Sequence, residues 1–200
     1  MTYLHLRHMG RCTDISFPTT MDEVKQAIIF LKEPYDAPGR VRITDTDGLI
    51  SNLTQYIKCA DPENEHDIMK LNRITETIDR MRQREMYIFS GALDAEKPNG
   101  LDEVLRIADS LNQYELIEKV STDRELGNWL VEHGRLDVNV PRAVRPYLDY
   151  VAIGAEYYAN HGGAYTMHGY VKRREPSQEQ TVEHRSLPEE AQGQQMSGMA

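Results

Sequence analysis

The sequence predicts an α+β protein built of three small consecutive subdomains. Residues 3–8 and 12–17 alternate apolar and polar side chains, as a half-buried pair of strands does. Between residues 61 and 112 the apolar residues recur instead at intervals of three and four, which indicates helices. After residue 113 strand and helix patterns mix again. The 200 residues are 40% hydrophobic and 28% charged, an ordinary globular composition that allows one domain or a few small ones.

The first subdomain, residues 1–60, is predicted to be a small α+β unit. Met9-Gly10-Arg11 supplies a turn between the first two strands. Thr20 and Glu23 have the spacing of a capping box, which satisfies backbone donors at the start of a helix. The predicted elements are strands at 3–8, 12–17 and 40–44, a helix from Thr20 to about Glu33, and a short helix from Leu49 to Lys58.

The second subdomain, residues 61–112, is predicted to be wholly helical. Each of its three helices has an apolar stripe, with charged side chains on the opposite face. The simplest interpretation is that the three stripes pack against one another as a core. The stripes are Ile68, Leu71, Ile74, Ile78 and Met81 in the first helix, Met86, Phe89, Ala92 and Leu93 in the second, and Leu101, Val104, Leu105, Ala108 and Leu111 in the third.

The third subdomain, residues 113–174, is predicted to be α+β again. Thr122 to Glu125 opens a capped helix, and Gly134 suits its left-handed C-terminal end. The other predicted elements are a strand at 114–120, a helix at about 147–160 and an edge strand at 164–173. Residues 175–200, rich in Gln, Glu, Ser and Gly, are predicted to be a disordered tail.

The acidic surplus lies in the middle of the chain. Residues 61–137 carry 18 Asp and Glu against 10 Lys and Arg, whereas residues 1–60 carry seven of each and residues 138–200 carry seven against six. Such a stretch projects a negative field, which repels nucleic acid and attracts proteins with a basic working surface. A solvated helical face with no special partner explains the same charge, so charge alone does not decide between the two interpretations.

From about residue 1 to residue 172, the order and spacing of several short blocks resemble the ArdA-type antirestriction proteins of conjugative mobile elements, in a divergent branch. The blocks are Lys70-Leu71-Asn72, Phe89-Ser90-Gly91-Ala92-Leu93, Tyr114-Glu115-Leu116-Ile117, Glu125-Leu126-Gly127-Asn128-Trp129-Leu130, Tyr147-Leu148-Asp149-Tyr150 with Ile153-Gly154, and Gly169-Tyr170-Val171.

The resemblance implies an elongated homodimer, joined through its C-terminal part, that imitates bent double-stranded DNA. Its target would be a type I restriction-modification enzyme, whose DNA groove it would occupy so that DNA is neither cut nor methylated. Duplex DNA carries about one negative charge per 1.7 Å of axis, so each carboxylate would stand in for a phosphate. The candidates are Glu63, Glu65, Asp67, Glu76, Asp79, Asp94, Glu96, Asp102, Glu103, Asp109, Glu115 and Glu118.

Two sets of residues bear on this implied function. By position in the family, Leu126, Trp129 and Leu130 are expected at or near the dimer contact, with plain core packing as the alternative. The chain is less acidic than better-known members of the family. Its Arg80, Arg82 and Arg84 either pair with nearby Asp79 and Glu85 or interrupt a uniform negative surface.

Two alternatives remain beside the antirestriction hypothesis. A relative with the same fold could be an inhibitor of, or an adaptor for, another anti-phage or CRISPR-type defence protein. Asp45-Thr46-Asp47-Gly48 also has a superficial likeness to the nucleophile loop of a small phosphohydrolase, in which Asp45 would attack phosphorus. A tight polar turn explains that stretch better, because Arg42 and Thr44 are too polar for the buried strand of such enzymes.

We expect no enzyme activity, cofactor or metal site. His5 and His8 are three residues apart on a predicted strand, where their side chains would point to opposite faces. No nucleophile with its base can be named, and the phosphate-binding glycine patterns are missing. The sequence also lacks an export signal and a long apolar run, which predicts a cytoplasmic protein that binds neither a membrane nor nucleic acid directly.

Overall fold

The computed structural model describes residues 2–33, 39–48, 50–136 and 138–174. Within these ranges the chain forms seven α-helices and two three-stranded sheets, so the α+β prediction is confirmed. The predicted disordered tail, residues 175–200, lies outside the described residues.

The first sheet is antiparallel and contains β1 (Thr2–His8), β2 (Arg11–Phe17) and β3 (Arg42–Asp47) in the order β2-β1-β3. Alternation in β1 buries Leu4 and Leu6 and leaves the intervening side chains on the outer face. The two predicted N-terminal strands and their turn are confirmed. The third strand begins two residues later than predicted and continues to Asp47.

The two helices of this part pack beside the sheet. In α1 (Met21–Lys32), the predicted capping box is confirmed: the amide of Glu23 donates to the Thr20 hydroxyl at 3.3 Å, and the Glu23 carboxylate accepts from the Thr20 amide at 2.9 Å. The short helix α2 covers only Leu53–Ile57 of the predicted 49–58.

The middle part consists of α3 (Glu65–Arg80), α4 (Gln83–Glu96) and α5 (Leu101–Asp109), as predicted. Their apolar stripes are mostly buried in the same hydrophobic core as Leu4 and Phe17 of the first sheet. Packing is therefore continuous across residues 60 and 61. The division into subdomains at 1–60, 61–112 and 113–174 stays a prediction.

The second sheet contains β4 (Tyr114–Glu118), β5 (Ala164–Thr166) and β6 (Gly169–Arg173) in the order β4-β6-β5. Two short 3-10 helices, Leu111–Gln113 and Arg145–Tyr147, lie in the connections. The prediction of one edge strand at 164–173 is wrong, because the segment forms a hairpin whose second strand is central.

Both faces of the second sheet are covered by helices. Val171 and Leu116 join the main core on the side of α4, whereas Tyr170 and Ile117 join a second core formed with α6 (Asp123–Glu132) and α7 (Tyr150–His161). Gly91 allows α4 to lie close to the sheet, since a Cβ there would overlap the side chain of Val171.

Candidate functional site

The twelve candidate carboxylates divide by exposure. Four are half-buried: Asp67, Asp94, Glu96 and Glu115. The other eight are exposed: Glu63, Glu65, Glu76, Asp79, Asp102, Glu103, Asp109 and Glu118. The exposed group is concentrated on α3 and α5, because the opposite sides of both helices are committed to the core.

The half-buried carboxylates hold elements of the fold together. Asp94 of α4 accepts hydrogen bonds from the Tyr56 hydroxyl at 3.0 Å and from the Gln55 amide at 3.2 Å, which connects it to α2. Burial and this hydrogen bond raise the pKa of Tyr56 to about 12. The carboxylate of Asp67 accepts from the backbone amide of Asp61 at 2.8 Å. These groups are less available to a partner than the sequence suggested.

Glu96 connects α4 to the second sheet, and Glu115 pairs across two strands of that sheet. Glu96 accepts from the Tyr114 hydroxyl at 2.9 Å and lies 3.3 Å from the Arg106 guanidinium. Burial is the main cause of the raised pKa of Tyr114, and the bond to Glu96 adds to it. Glu115 lies 3.5 Å from the ammonium of Lys172.

Exposed carboxylates of α5 pair with cations of α3. The ammonium of Lys70 lies 2.7 Å from Asp102, and the guanidinium of Arg73 lies 2.6 Å from Asp109. In the first pair the carboxylate is the outer member, since the Asp102 side chain is 79% exposed and the Lys70 side chain 33%. A third exposed carboxylate, Glu63, pairs with Lys32 of α1 at 2.9 Å.

Two arginines of the cluster pair with residues other than the expected Asp79 and Glu85. Arg80 lies 3.6 Å from Glu76 on the same helix, and Arg84 lies 3.3 Å from Glu118 of β4. Glu85 instead accepts from the backbone amide of Arg82 at 2.7 Å, at the start of α4.

Many of the candidate carboxylates are paired with cations of the same chain. At least seven of the twelve candidates take part in ion pairs within 4.0 Å: Glu63, Glu76, Glu96, Asp102, Asp109, Glu115 and Glu118. We define the α3/α5 acidic face by the six exposed candidate carboxylates of these two helices, some of them paired with cations: Glu65, Glu76, Asp79, Asp102, Glu103 and Asp109.

The predicted dimer residues do not share one environment. Leu126 and Leu130 are fully buried in the second core, so their side chains pack in the interior of the protomer, in agreement with the alternative of core packing. Trp129 is half-buried and stacks on His133, with ring centroids 4.5 Å apart. Trp129 alone remains a candidate for an interface.

Trp129 lines an open cleft of about 730 Å³ that sequence reasoning missed. The cleft lies between α6, α7 and the connection after α6, and apolar side chains such as Val138 and Leu148 line it. Lys172 also lines it: its ammonium donates to the Tyr157 hydroxyl and pairs with Glu115. The burial of Lys172 could not be foreseen, because its partners come from an adjacent strand and from α7.

Asp45, the alternative nucleophile, lies on β3 and accepts two hydrogen bonds. They come from the Thr46 amide at 2.8 Å and the Thr54 hydroxyl at 3.1 Å. Asp47 is outward, and its carboxylate lies 3.6 Å from the ring of His5. Asp45 and Asp47 therefore lie in the last part of a strand, where a tight polar turn was predicted.

Among the described residues, no group of three or more His, Cys, Asp or Glu side chains is placed to hold a metal ion. Over the same ranges, no helix combines the length and apolar character needed to cross a bilayer. A comparison with models of known protein families gives no match, and a comparison with curated proteins gives none either.

Proposed function

We propose that this protein is an antirestriction protein of the ArdA type, which blocks a type I restriction-modification enzyme by occupying its DNA groove. The observation that carries the proposal is the α3/α5 acidic face, on which six carboxylates are exposed on two neighbouring helices. Like a phosphate backbone, they present negative oxygens that the Lys and Arg side chains of a basic groove can bind.

Internal ion pairs do not remove the attraction at a distance. Pairing changes where the charges lie but leaves the sum over residues 61–137 at 18 acidic against 10 basic side chains. Electrostatic steering depends on that summed field, so the middle of the chain still draws a basic surface toward it.

On binding, carboxylates of the α3/α5 acidic face would exchange their own Lys and Arg partners for Lys and Arg side chains of the enzyme. Solvent-exposed ion pairs contribute only about 0–1 kcal/mol, so giving up Lys70 or Arg73 costs little. Asp102 and Asp109 would then pair with Lys and Arg side chains of the enzyme, where exclusion of water strengthens each contact. Because the same enzyme groups hold DNA phosphates, inhibition is competitive and the protein itself has no catalytic role.

A homodimer would double the length of acidic surface offered to the enzyme. Trp129 and the cleft around it are the candidate contact, in the C-terminal part, as the resemblance implies.

The proposal is tested by measuring how the purified protein inhibits DNA cleavage by a panel of type I restriction-modification enzymes. A variant carrying Glu65→Gln, Asp102→Asn and Asp109→Asn removes three charges from the α3/α5 acidic face. We expect the concentration for half-inhibition of a sensitive enzyme to rise about tenfold, equivalent to about 1.4 kcal/mol of binding.

The matched control removes three exposed carboxylates elsewhere, with Asp22→Asn, Glu33→Gln and Glu132→Gln. It has the same net charge, so it should inhibit within about twofold of the unchanged protein if position matters. Equal inhibition by both variants, or no inhibition of any enzyme in the panel, would overturn the proposal. A stable complex that ignores excess duplex DNA would instead favour a different defence protein as the target.

A further inference from the structure

The cleft around Trp129 has the size of a small-molecule site. Its volume of about 730 Å³ falls within the range of roughly 300–1,000 Å³ that is typical of ligand pockets. Apolar side chains of α7 and of the connection after α6 line its walls, among them Val140, Leu148 and Ile153. Charged side chains line it as well, so the cleft offers both apolar contact and charge to a ligand.

One end of the cleft is formed by the second sheet, which presents two cations there. Lys172 lies on β6, and Arg174 follows directly after the strand. The backbone amide of Arg174 donates to the carbonyl of Gln113, which continues the pairing of the two chains beyond the strand. Residues two apart in an extended chain point to the same face, so Lys172 and Arg174 enter the cleft side by side.

Lys172 shows that a charge is held inside this end of the cleft. Its side chain is only 5% exposed, and its ammonium donates to the Tyr157 hydroxyl and lies 3.5 Å from the Glu115 carboxylate. A buried charge is costly unless it is paired and hydrogen-bonded. These contacts therefore keep the ammonium in a fixed position beside Arg174.

Arg174 adds a second positive charge, which the described residues do not neutralise. Its Nε donates to the Tyr114 carbonyl at 3.0 Å, and no carboxylate in the described ranges lies within 4.0 Å of its guanidinium. Lys172 and Arg174 thus stand against the single carboxylate of Glu115. This end of the cleft is positive in a chain whose net charge is −9.

We propose that the cleft binds a small carboxylic acid with an apolar or aromatic body. The carboxylate of the ligand accepts from the Arg174 guanidinium, in the bidentate geometry that arginine offers to carboxylates. The body of the ligand lies against the apolar walls, which include Leu148 and Ile153. Glu156 of α7 also lines the cleft and offers a partner for an amino group, so an amino acid belongs to the same class of ligand.

The carboxylate site is distinct from the proposed dimer contact. The dimer contact concerns Trp129 and the open side of the cleft, whereas the carboxylate of the ligand is bound at the sheet. The site also does not depend on the antirestriction proposal, because its binding is measured without a restriction enzyme or DNA. Either proposal can fail alone.

The test is a titration of the full-length protein with three compounds that share an aromatic body: hydrocinnamate, its neutral amide and phenylalanine. Trp129 is the only tryptophan of the chain, so its fluorescence reports on occupancy of the cleft, and calorimetry gives the affinity. We expect saturable binding of the carboxylates and binding of the amide that is about tenfold weaker, because the amide forms no charge-assisted pair.

Variants locate the carboxylate in the cleft. Arg174→Gln should weaken binding of hydrocinnamate about tenfold and leave binding of the neutral amide within about twofold. The control Arg124→Gln removes an exposed arginine of α6 and should leave all affinities within about twofold. Tighter binding of phenylalanine than of hydrocinnamate, lost in Glu156→Gln, would identify an amino acid as the ligand, and the reverse order would identify a simple acid.

Three results would overturn the proposal. The first is an unchanged Trp129 emission with all three compounds at high concentration. The second is an amide that binds as tightly as hydrocinnamate, and the third is an equal loss of binding in Arg124→Gln and Arg174→Gln. Circular dichroism confirms that the variants keep the fold.

Discussion

Gly154 of α7 lies directly against the backbone carbonyl of Asp123 at the start of α6, so closely that a Cβ on the glycine would overlap the carbonyl oxygen. Gly127 of α6 makes the reciprocal approach to the carbonyl of Tyr150. The two helices therefore cross backbone to backbone, which only glycine permits at both positions. Both glycines lie in sequence blocks on which the resemblance to ArdA rests. The close crossing of α6 and α7 explains why glycine occupies these two positions.

Gly154→Ala should separate α6 from α7 and loosen the second core. Overpacking against backbone costs about 1–3 kcal/mol, since neither carbonyl nor helix can yield without moving Leu126 and Leu130. Urea unfolding measures the loss. The control Ala155→Ser, at the next and exposed position, should change stability by less than about 0.5 kcal/mol. Equal stability of the two variants would show that the crossing is looser than described.

The His5 ring on β1 should make stability depend on pH. Its hydrogen bond to Asp14, at 2.6 Å, raises the pKa of His5. The negative charges of Asp14, Asp47 and Asp45 raise this pKa further, whereas burial lowers it. A raised pKa stabilises the fold fully below the unfolded pKa, and that contribution disappears as pH rises through the folded pKa. The gap in unfolding free energy between the protein and His5→Gln should therefore be largest below about pH 6. A gap that grows toward pH 8 would contradict the account.

The bond between Tyr56 and Asp94 should stabilise the contact between α2 and α4. Tyr56→Phe removes the hydroxyl and leaves Asp94 with only the Gln55 amide, at a cost of about 1 kcal/mol in urea unfolding. Tyr147→Phe, at an exposed position, serves as control. In a spectroscopic titration, Asp94→Asn should lower the pKa of Tyr56 from about 12 without reaching its ordinary value, because burial is the larger cause. An unchanged pKa would exclude the bond.

Trp129 should contribute to a homodimer through its cleft. Light scattering is expected to give twice the mass of the chain, and Trp129→Leu should shift the equilibrium toward monomer, since loss of an indole removes a large contact area. Met69→Ser changes an exposed apolar residue on α3 and should leave the dimer intact. A monomer at all concentrations of the unchanged protein would refute the interface.

Local patterns in the sequence were enough to predict most helices and strands, because these elements are determined by interactions between residues that are close together in the chain. The capping box of Thr20 and Glu23 and the stripe of Ile68, Leu71, Ile74 and Ile78 determine where helices start and which side they bury. The same logic failed for 164–173. Gly169 to Lys172 are all buried because α4 covers one face of the sheet and α6 with α7 covers the other. A strand that is covered on both faces does not show the alternation of apolar and polar residues from which a strand's exposed face is predicted.

The candidate site shows the same limit. Which carboxylates are exposed follows fairly well from helical periodicity, as Asp102 and Asp109 of α5 illustrate. Their pairing with Lys70 and Arg73 depends on how α5 lies on α3, which spacing along the chain does not specify. Likewise, the absence of a hydrogen-bond partner for the buried ring of His8 depends on the tertiary surroundings of β1, which the strand pattern does not specify.

The most direct test of DNA mimicry measures the affinity of the protein for the DNA-binding part of a sensitive type I enzyme, at several salt concentrations and with competing duplex DNA. We predict that affinity falls steadily as salt rises and that duplex DNA and the protein displace each other from one site. An affinity that is constant in salt, or a ternary complex with duplex DNA bound at the same time, would contradict the central claim.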